Sequence, residues 1–147
     1  MRFPTLTVRS CSRPVLSLVV EAPHGSRILV DALVDTGSDV TLLTPHAADL
    51  LQLDLTQCPE VGIQSALGTP GTYRRIELNL ELRRPPDIYR WRTAVGVVSH
   101  RLTYCILGIQ GFFEHFRMTY DAHHQWLDVE PSHPLPTQST KIVDFHR

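Results

Sequence analysis

The sequence predicts an all-β domain. Turn-forming residues recur roughly every eight to twelve positions, and the apolar stretches between them are short and often alternating. The clearest case sets Ile76, Leu78, Leu80 and Leu82 against Glu77, Asn79 and Glu81, the period of two expected of a strand with one face in a core. A length of 147 residues with 42% hydrophobic and 20% charged content is that of one ordinary globular domain with a core of its own.

The elements follow in order. Val15 to Val20 reads as a strand, Pro23-His24-Gly25-Ser26 as a hairpin turn, and Arg27 to Val34 as the returning strand. After an acidic loop, Val40 to Leu43 continues as a short buried strand. Pro45 to Leu53 places Ala47, Leu50 and Leu51 at helical spacing, with Pro45 suited to a first turn. Ser65 to Tyr73 is a turn rich in glycine and small residues between extended flanks. The alternating strand then runs to a break at Pro85-Pro86, and Trp91 to Val98 is a more buried strand. Ile106-Leu107-Gly108 opens a turn followed by a second helical segment, on the spacing of Phe112, Phe113 and Phe116. Arg117 to Tyr120 and Gln125 to Val129 form a last hairpin around Asp121 to His124. The chain divides into an N-terminal segment 1–14 that is a candidate dimer strand at Leu6-Thr7-Val8, a folded domain 15–130, and a Pro/Ser/Thr-rich tail 131–147. Ile142-Val143-Asp144-Phe145 in that tail is a candidate terminal strand.

Composition excludes several functional classes. A net charge of -1 gives no electrostatic argument for nucleic acid or an anionic membrane, and no apolar run reaches the length of a membrane span. The first fourteen residues, with Arg2, Arg9, Arg13, Pro4 and Pro14, do not resemble a secretory signal. Cys11, Cys58 and Cys105 are widely spaced and form neither a disulfide framework nor a zinc pattern, so a cytoplasmic location is the expectation. His123-His124 are adjacent on a turn, and no nearby Cys or acidic pair completes a site; no metal and no organic cofactor are expected. Asp31 reads as a solvated strand residue.

The chemistry concentrates in Ala32-Leu33-Val34-Asp35-Thr36-Gly37-Ser38-Asp39-Val40-Thr41-Leu42-Leu43. A carboxylate set between two apolar strand runs is costly unless it is used. The economical use is a pair of carboxylates sharing one proton, so that one acts as acid and the other as base. The chain holds a single Asp-Thr-Gly triplet and no internal repeat. The second carboxylate must therefore come from another copy of the chain.

The loop resembles the active-site loop of retropepsin-like aspartic proteases. Cys105-Ile106-Leu107-Gly108 is similar to the second signature of that family, two aliphatic residues and a glycine, and the order of elements agrees from about Val15 to Glu130. The resemblance implies a closed β-barrel with one or two short helices, active as a homodimer. It also implies an endopeptidase that takes a peptide or protein substrate as an extended, mainly apolar segment.

Residue roles follow from the same resemblance. Asp35 would be catalytic, Thr36 would hydrogen-bond across the dimer axis, and Gly37 would let backbone approach the dyad and the substrate. Ser38, where viral members often carry Ala, would donate to the catalytic carboxylate, favour its ionised form and shift activity toward acid. Asp39 would bind substrate main chain. Its usual partner, an Arg directly after the signature glycine, is replaced here by Ile109. Ser65 to Tyr73 would be a flap whose freedom comes from Gly68 and Gly71, and Val34, Leu67 and Ile106 would line apolar pockets. Two alternatives stand beside an active protease: a non-catalytic dimerisation or regulatory module with this fold, and a latent monomer activated on assembly.

Overall fold

The computed structural model describes residues 1–65 and 67–135; the expected strand at Ile142 to Phe145 lies outside them. Twelve strands and one short helix follow one another. They are β1 (Arg2–Pro4), β2 (Leu6–Val8), β3 (Cys11–Arg13), β4 (Val15–Glu21), β5 (Arg27–Val34), β6 (Leu42–Leu43), α1 (Pro45–Leu50), β7 (Glu60–Gln64), β8 (Pro70–Arg84), β9 (Asp87–Val98), β10 (Cys105–Leu107), β11 (Phe116–Asp121) and β12 (Trp126–Pro131).

Six strands close into a barrel in the order β4-β5-β10-β6-β9-β8, with β8 returning to β4 through Val19↔Glu81, Val20↔Leu80 and Glu21↔Asn79. Closure hides the edges that an open sheet would expose. β8 does two jobs. Residues Tyr73 to Arg84 pair with β9 along one edge, while on the other edge Pro70 to Arg74 pair with β7 and Asn79 to Glu81 with β4. Around the seam, Arg27 bridges Glu21 and Glu81, Arg83 pairs with Glu81, and Arg90 pairs with Glu21. The Glu81 carboxylate is thus buried with two guanidinium partners, as a buried charge requires.

The core is filled from the alternating faces. Leu78, Leu80 and Leu82 are buried between Leu16, Leu18 and Val20 of β4 and Trp91 of β9. The Trp91 ring lies 4.7 Å from Phe116, which stacks on Phe112 at 5.1 Å, and the indole N–H donates to the Gly111 carbonyl at 2.8 Å. Helix α1 is capped as its sequence suggests: the Thr44 hydroxyl accepts from the Ala47 N–H, with Pro45 in the first turn.

The second helix expected after Gly108 does not form. Phe112 to Phe116 make a single turn, with the Phe116 N–H on the Phe112 carbonyl, and Phe116 then enters β11. One turn already brings Phe112 and Phe116 to the same face. Further helix would be a nucleus without propagation, whereas the extended chain gains a full ladder with β12.

At the N-terminus, β1 pairs with β12 to make a three-stranded sheet with β11, and Leu6 to Val8 pair with Cys11 to Arg13 as a hairpin of the same chain. Leu135, assigned to the tail by composition, is buried in the main core. Among the described residues no helix is long and apolar enough to cross a membrane.

Candidate active site

Parallel pairing of β5 with β10 sets Val34 beside Leu107, and the chain leaves the sheet at Asp35, whose N–H still donates to the Leu107 carbonyl at 3.0 Å. The Asp35 carboxylate accepts the Gly37 N–H on Oδ1 at 2.8 Å, and the Ser38 N–H closes the turn on the Asp35 carbonyl. A β-carbon on Gly37 would stand 3.1 Å from that Oδ1, tighter than ordinary contact. The smallest residue therefore lets the carboxylate fold back onto its own backbone.

The segment after the second signature holds this loop from below. Ile109 and Gln110 donate to the carbonyls of Ser38 and Asp39, both at 2.9 Å, and Thr41 donates to the Gln110 carbonyl. Gly108 lies against the loop so closely that a β-carbon there would come within 2.3 Å of the Val40 carbonyl oxygen and 2.6 Å of that of Ser38. The Gly108 N–H is met by the hydroxyl of Thr41, which is itself buried. The two signatures are thus one object: a loop and the strand end it crosses, interlocked by backbone.

Above the loop stands the β7–β8 hairpin. Its tip is closed locally, by Ser65 N–H to the Thr69 carbonyl, Gly68 N–H to the Ser65 carbonyl, and Thr69 N–H to the Ser65 hydroxyl. Gly68 takes φ +80, a conformation that glycine adopts freely. Between loop and hairpin lies a cleft of about 460 Å³. Asp35, Gly37, Ser38 and Asp39 form its floor, and Leu42, Ile63 and Ile106 form apolar walls. Gln64, Ser65, Thr69, Pro70 and Gly71 reach it from the hairpin, and His100 from the loop after β9.

No protein-family model matches the sequence, and no curated protein matches it significantly. Solved structures do. A retropepsin-like aspartic protease from Rickettsia conorii superposes with a TM-score of 0.57 at 18% identity, over 86% of this chain and 88% of that one. The chain has the retropepsin-like fold. Looser likenesses, also at 18% identity, are to the retroviral protease-like domain of Ddi1 from Leishmania major (TM-score 0.48, 79% of this chain and 88% of that one) and to the EIAV protease complexed with the inhibitor HBY-793 (0.45, 70% and 88%).

Within this retropepsin-like fold the sequence-derived residues separate into two groups. Asp35, Gly37, Ser38, Asp39, Gly71 and Ile106 all border the cleft. Val34 does not: it is buried in the barrel core. Leu67 is 94% exposed at the hairpin tip and Gly68 sits beside it, neither lining the cleft, while Thr36 is exposed on the loop and does not border the cleft. Ser38 corrects its expectation. Its hydroxyl donates to the Val40 carbonyl at 2.7 Å, not to the Asp35 carboxylate. The nearer acceptor in the turn takes the proton, and the carboxylate is served by the Gly37 amide instead. Leu42, Ile63, Gln64 and His100 were not anticipated. Ile63-Gln64 immediately precede the flap turn, so the hairpin reading contained the signal for them, whereas nothing local marks His100. Burial pushes the Cys105 thiol pKa up, so this cysteine behind the loop is a packing residue rather than a nucleophile.

Proposed function

We propose that this chain is an aspartic endopeptidase that works as a homodimer, with Asp35 of each copy forming the catalytic dyad. The observation that supports it most is the placement of Asp35: half-buried, at the floor of a cleft, on a loop held by backbone bonds from the second signature, in a retropepsin-like fold. Thr36 and Gly37 beside it are exposed, so a second copy can approach the loop.

In this reading two carboxylates about 3 Å apart retain one proton between them. They hold a water whose oxygen attacks the scissile carbonyl carbon while the ionised carboxylate removes its proton. The protonated carboxylate gives its proton to the carbonyl oxygen, producing a tetrahedral diol. Collapse breaks the C–N bond, and a proton passes to the departing nitrogen. No covalent enzyme intermediate and no metal take part. Leu42, Ile63 and Ile106 would receive apolar side chains of an extended substrate, and the hairpin would cover it. Cys11, Cys58 and Cys105 are all free thiols, which supports a reducing compartment such as the cytoplasm.

Incubation with a mixed peptide library between about pH 4 and 7 tests the reading, with Asp35→Asn as control. Cleavage by the native chain that disappears in Asp35→Asn supports it; no cleavage, or cleavage that survives the substitution, overturns it. A second reading, a dimerisation module with this fold and no catalysis, draws on one observation: Ile109 stands where the family carries an Arg, and among the described residues the Asp39 carboxylate has no hydrogen-bond or ion-pair partner. Sedimentation showing a dimer in a chain that cleaves nothing would favour it.

A further inference from the structure

An exposed carboxylate on the floor of a binding cleft, with no cation beside it among the described residues, can meet a charged group on whatever occupies the cleft. Asp39 is exposed and borders the cleft, and its backbone is held by the Gln110 N–H at 2.9 Å, so the side chain projects from a rigid root. Asp35 and Asp39 are the two acids in the cleft lining, and His100 is its one group able to carry positive charge. Among the described residues no hydrogen bond or ion pair joins His100 to either acid. Arg101, next in sequence, lines a different depression with His46 and Leu102. The cleft therefore carries net negative character, which attracts cationic chains and disfavours acidic ones.

We infer that Asp39 is a charge-selecting residue for substrate, and that the cation missing from its side is supplied by a Lys or Arg side chain of the bound peptide. Replacing the expected Arg by Ile109, 43% exposed, removes the intramolecular cation without moving the carboxylate out of the cleft. A neutralised acid could accept only main-chain amides, whereas an open one rewards a charged side chain as well. The inference rests on the cleft being a peptide site, as proposed above, and it narrows the substrate class: mainly apolar segments carrying one basic residue at the position that faces Asp39.

The test uses the full chain carrying Asp35→Asn, which removes hydrolysis from the measurement. Fluorescein-labelled apolar decapeptides with norleucine, Lys or Glu placed at each position in turn are titrated by fluorescence anisotropy at low and high salt. At one position Lys should bind about five- to tenfold tighter than norleucine, with Glu weaker than both, and the advantage should shrink as salt rises. Adding Asp39→Asn, nearly isosteric, should bring the Lys-to-norleucine ratio close to one, and Asp39→Arg should reverse the preference toward Glu. Equal affinities at every position, a ratio that survives Asp39→Asn, or no binding by any peptide overturns the inference. The two readings fail separately. A native chain that cleaves nothing while Asp35→Asn shows the Lys preference defeats the endopeptidase alone, and cleavage with no basic preference defeats the Asp39 role alone.

Discussion

The floor and the roof of the cleft are built on opposite plans. The Asp35 loop is bound to the second signature by at least four backbone hydrogen bonds and by a glycine with no room for a methyl group. Among the described residues the tip of the β7–β8 hairpin is held by bonds among Gln64, Ser65, Gly68 and Thr69, and Leu67 is 94% exposed. Under the proposed function the Asp35 carboxylate would have to keep its position to be paired with another, and it stands where the chain crosses itself. If the hairpin covers substrate as proposed, it would have to open, and the local bonds of its tip can break without unfolding the barrel.

The contrast is tested most severely at Gly108. Gly108→Ala forces a β-carbon to 2.3 Å from the Val40 carbonyl oxygen, and backbone on both sides must move. The loss should be about 3 kcal/mol or more, seen as a large fall in Tm or failure to fold. A chain with near-native Tm would show that the floor is not interlocked. Ser38→Ala removes the hydroxyl donated to the Val40 carbonyl and should cost about 1 kcal/mol in denaturant unfolding. If the chain cleaves peptides, its pH–rate profile should stay in place in this variant. A shift toward neutral would restore the role that the resemblance implied for Ser38.

At the roof, Gly68→Ala meets only the Gln64 side chain, at an ordinary contact distance of 3.8 Å, and the strain of φ +80, so its cost should stay at about 1 kcal/mol. Hydrogen exchange should sharpen the comparison directly. The amides of Ser65, Gly68 and Thr69 should exchange well before those of Thr41, Ile109 and Gln110, and equal rates would erase the difference between lid and floor.

The smallest effect is one of pH, at the turn behind the floor. Burial pushes the His115 imidazole pKa down, opposed by neighbouring Glu114 and reinforced by His133, and its Nδ1 has no hydrogen-bond partner among the described residues. The unfolded chain then binds the proton more readily than the folded one. This contribution is fully present above the ordinary imidazole range and is lost as pH falls below about 6.5. Exposed His133 has the opposite sign, its pKa raised by hydrogen bonds to the Glu114 and Pro134 carbonyls. The drop in Tm between pH 7.5 and 5 should be smaller in His115→Leu than in the native chain.

Much of this architecture was legible in the residues because short-range physics wrote it. The alternation at Ile76 to Leu82, the turn at Pro23 to Ser26 and the cap at Thr44-Pro45 each follow from local periodicity or local hydrogen bonding. The Asp35 loop was legible because two distant signatures point to one crossing. What escaped depends on partners far along the chain. The aromatic spacing of Phe112 to Phe116 fits a helix and a single turn equally, and only the ladder with β12 decides between them. The pairing of β1 with β12 spans the whole described domain, and no local pattern in Arg2 to Pro4 announces it. His100 enters the cleft from the end of β9 by the curvature of the barrel. The acceptor of the Ser38 hydroxyl was misjudged because two acceptors lie within reach, and only the turn geometry chooses Val40.

Strand β8 joins the two plans in one piece of chain. Its first residues, Pro70 to Arg74, are an arm of the lid; from Tyr73 onward it is a stave of the barrel, bonded to β9 and, at Asn79 to Glu81, to β4. A lid made this way has no hinge pin at its root. In the proposed role it would bend like a diving board clamped at one end, the clamp being the ion-paired seam where Arg27, Arg83 and Arg90 meet Glu21 and Glu81. If the hairpin covers a bound chain as proposed, how far it dips would depend in part on how firmly that seam is fastened.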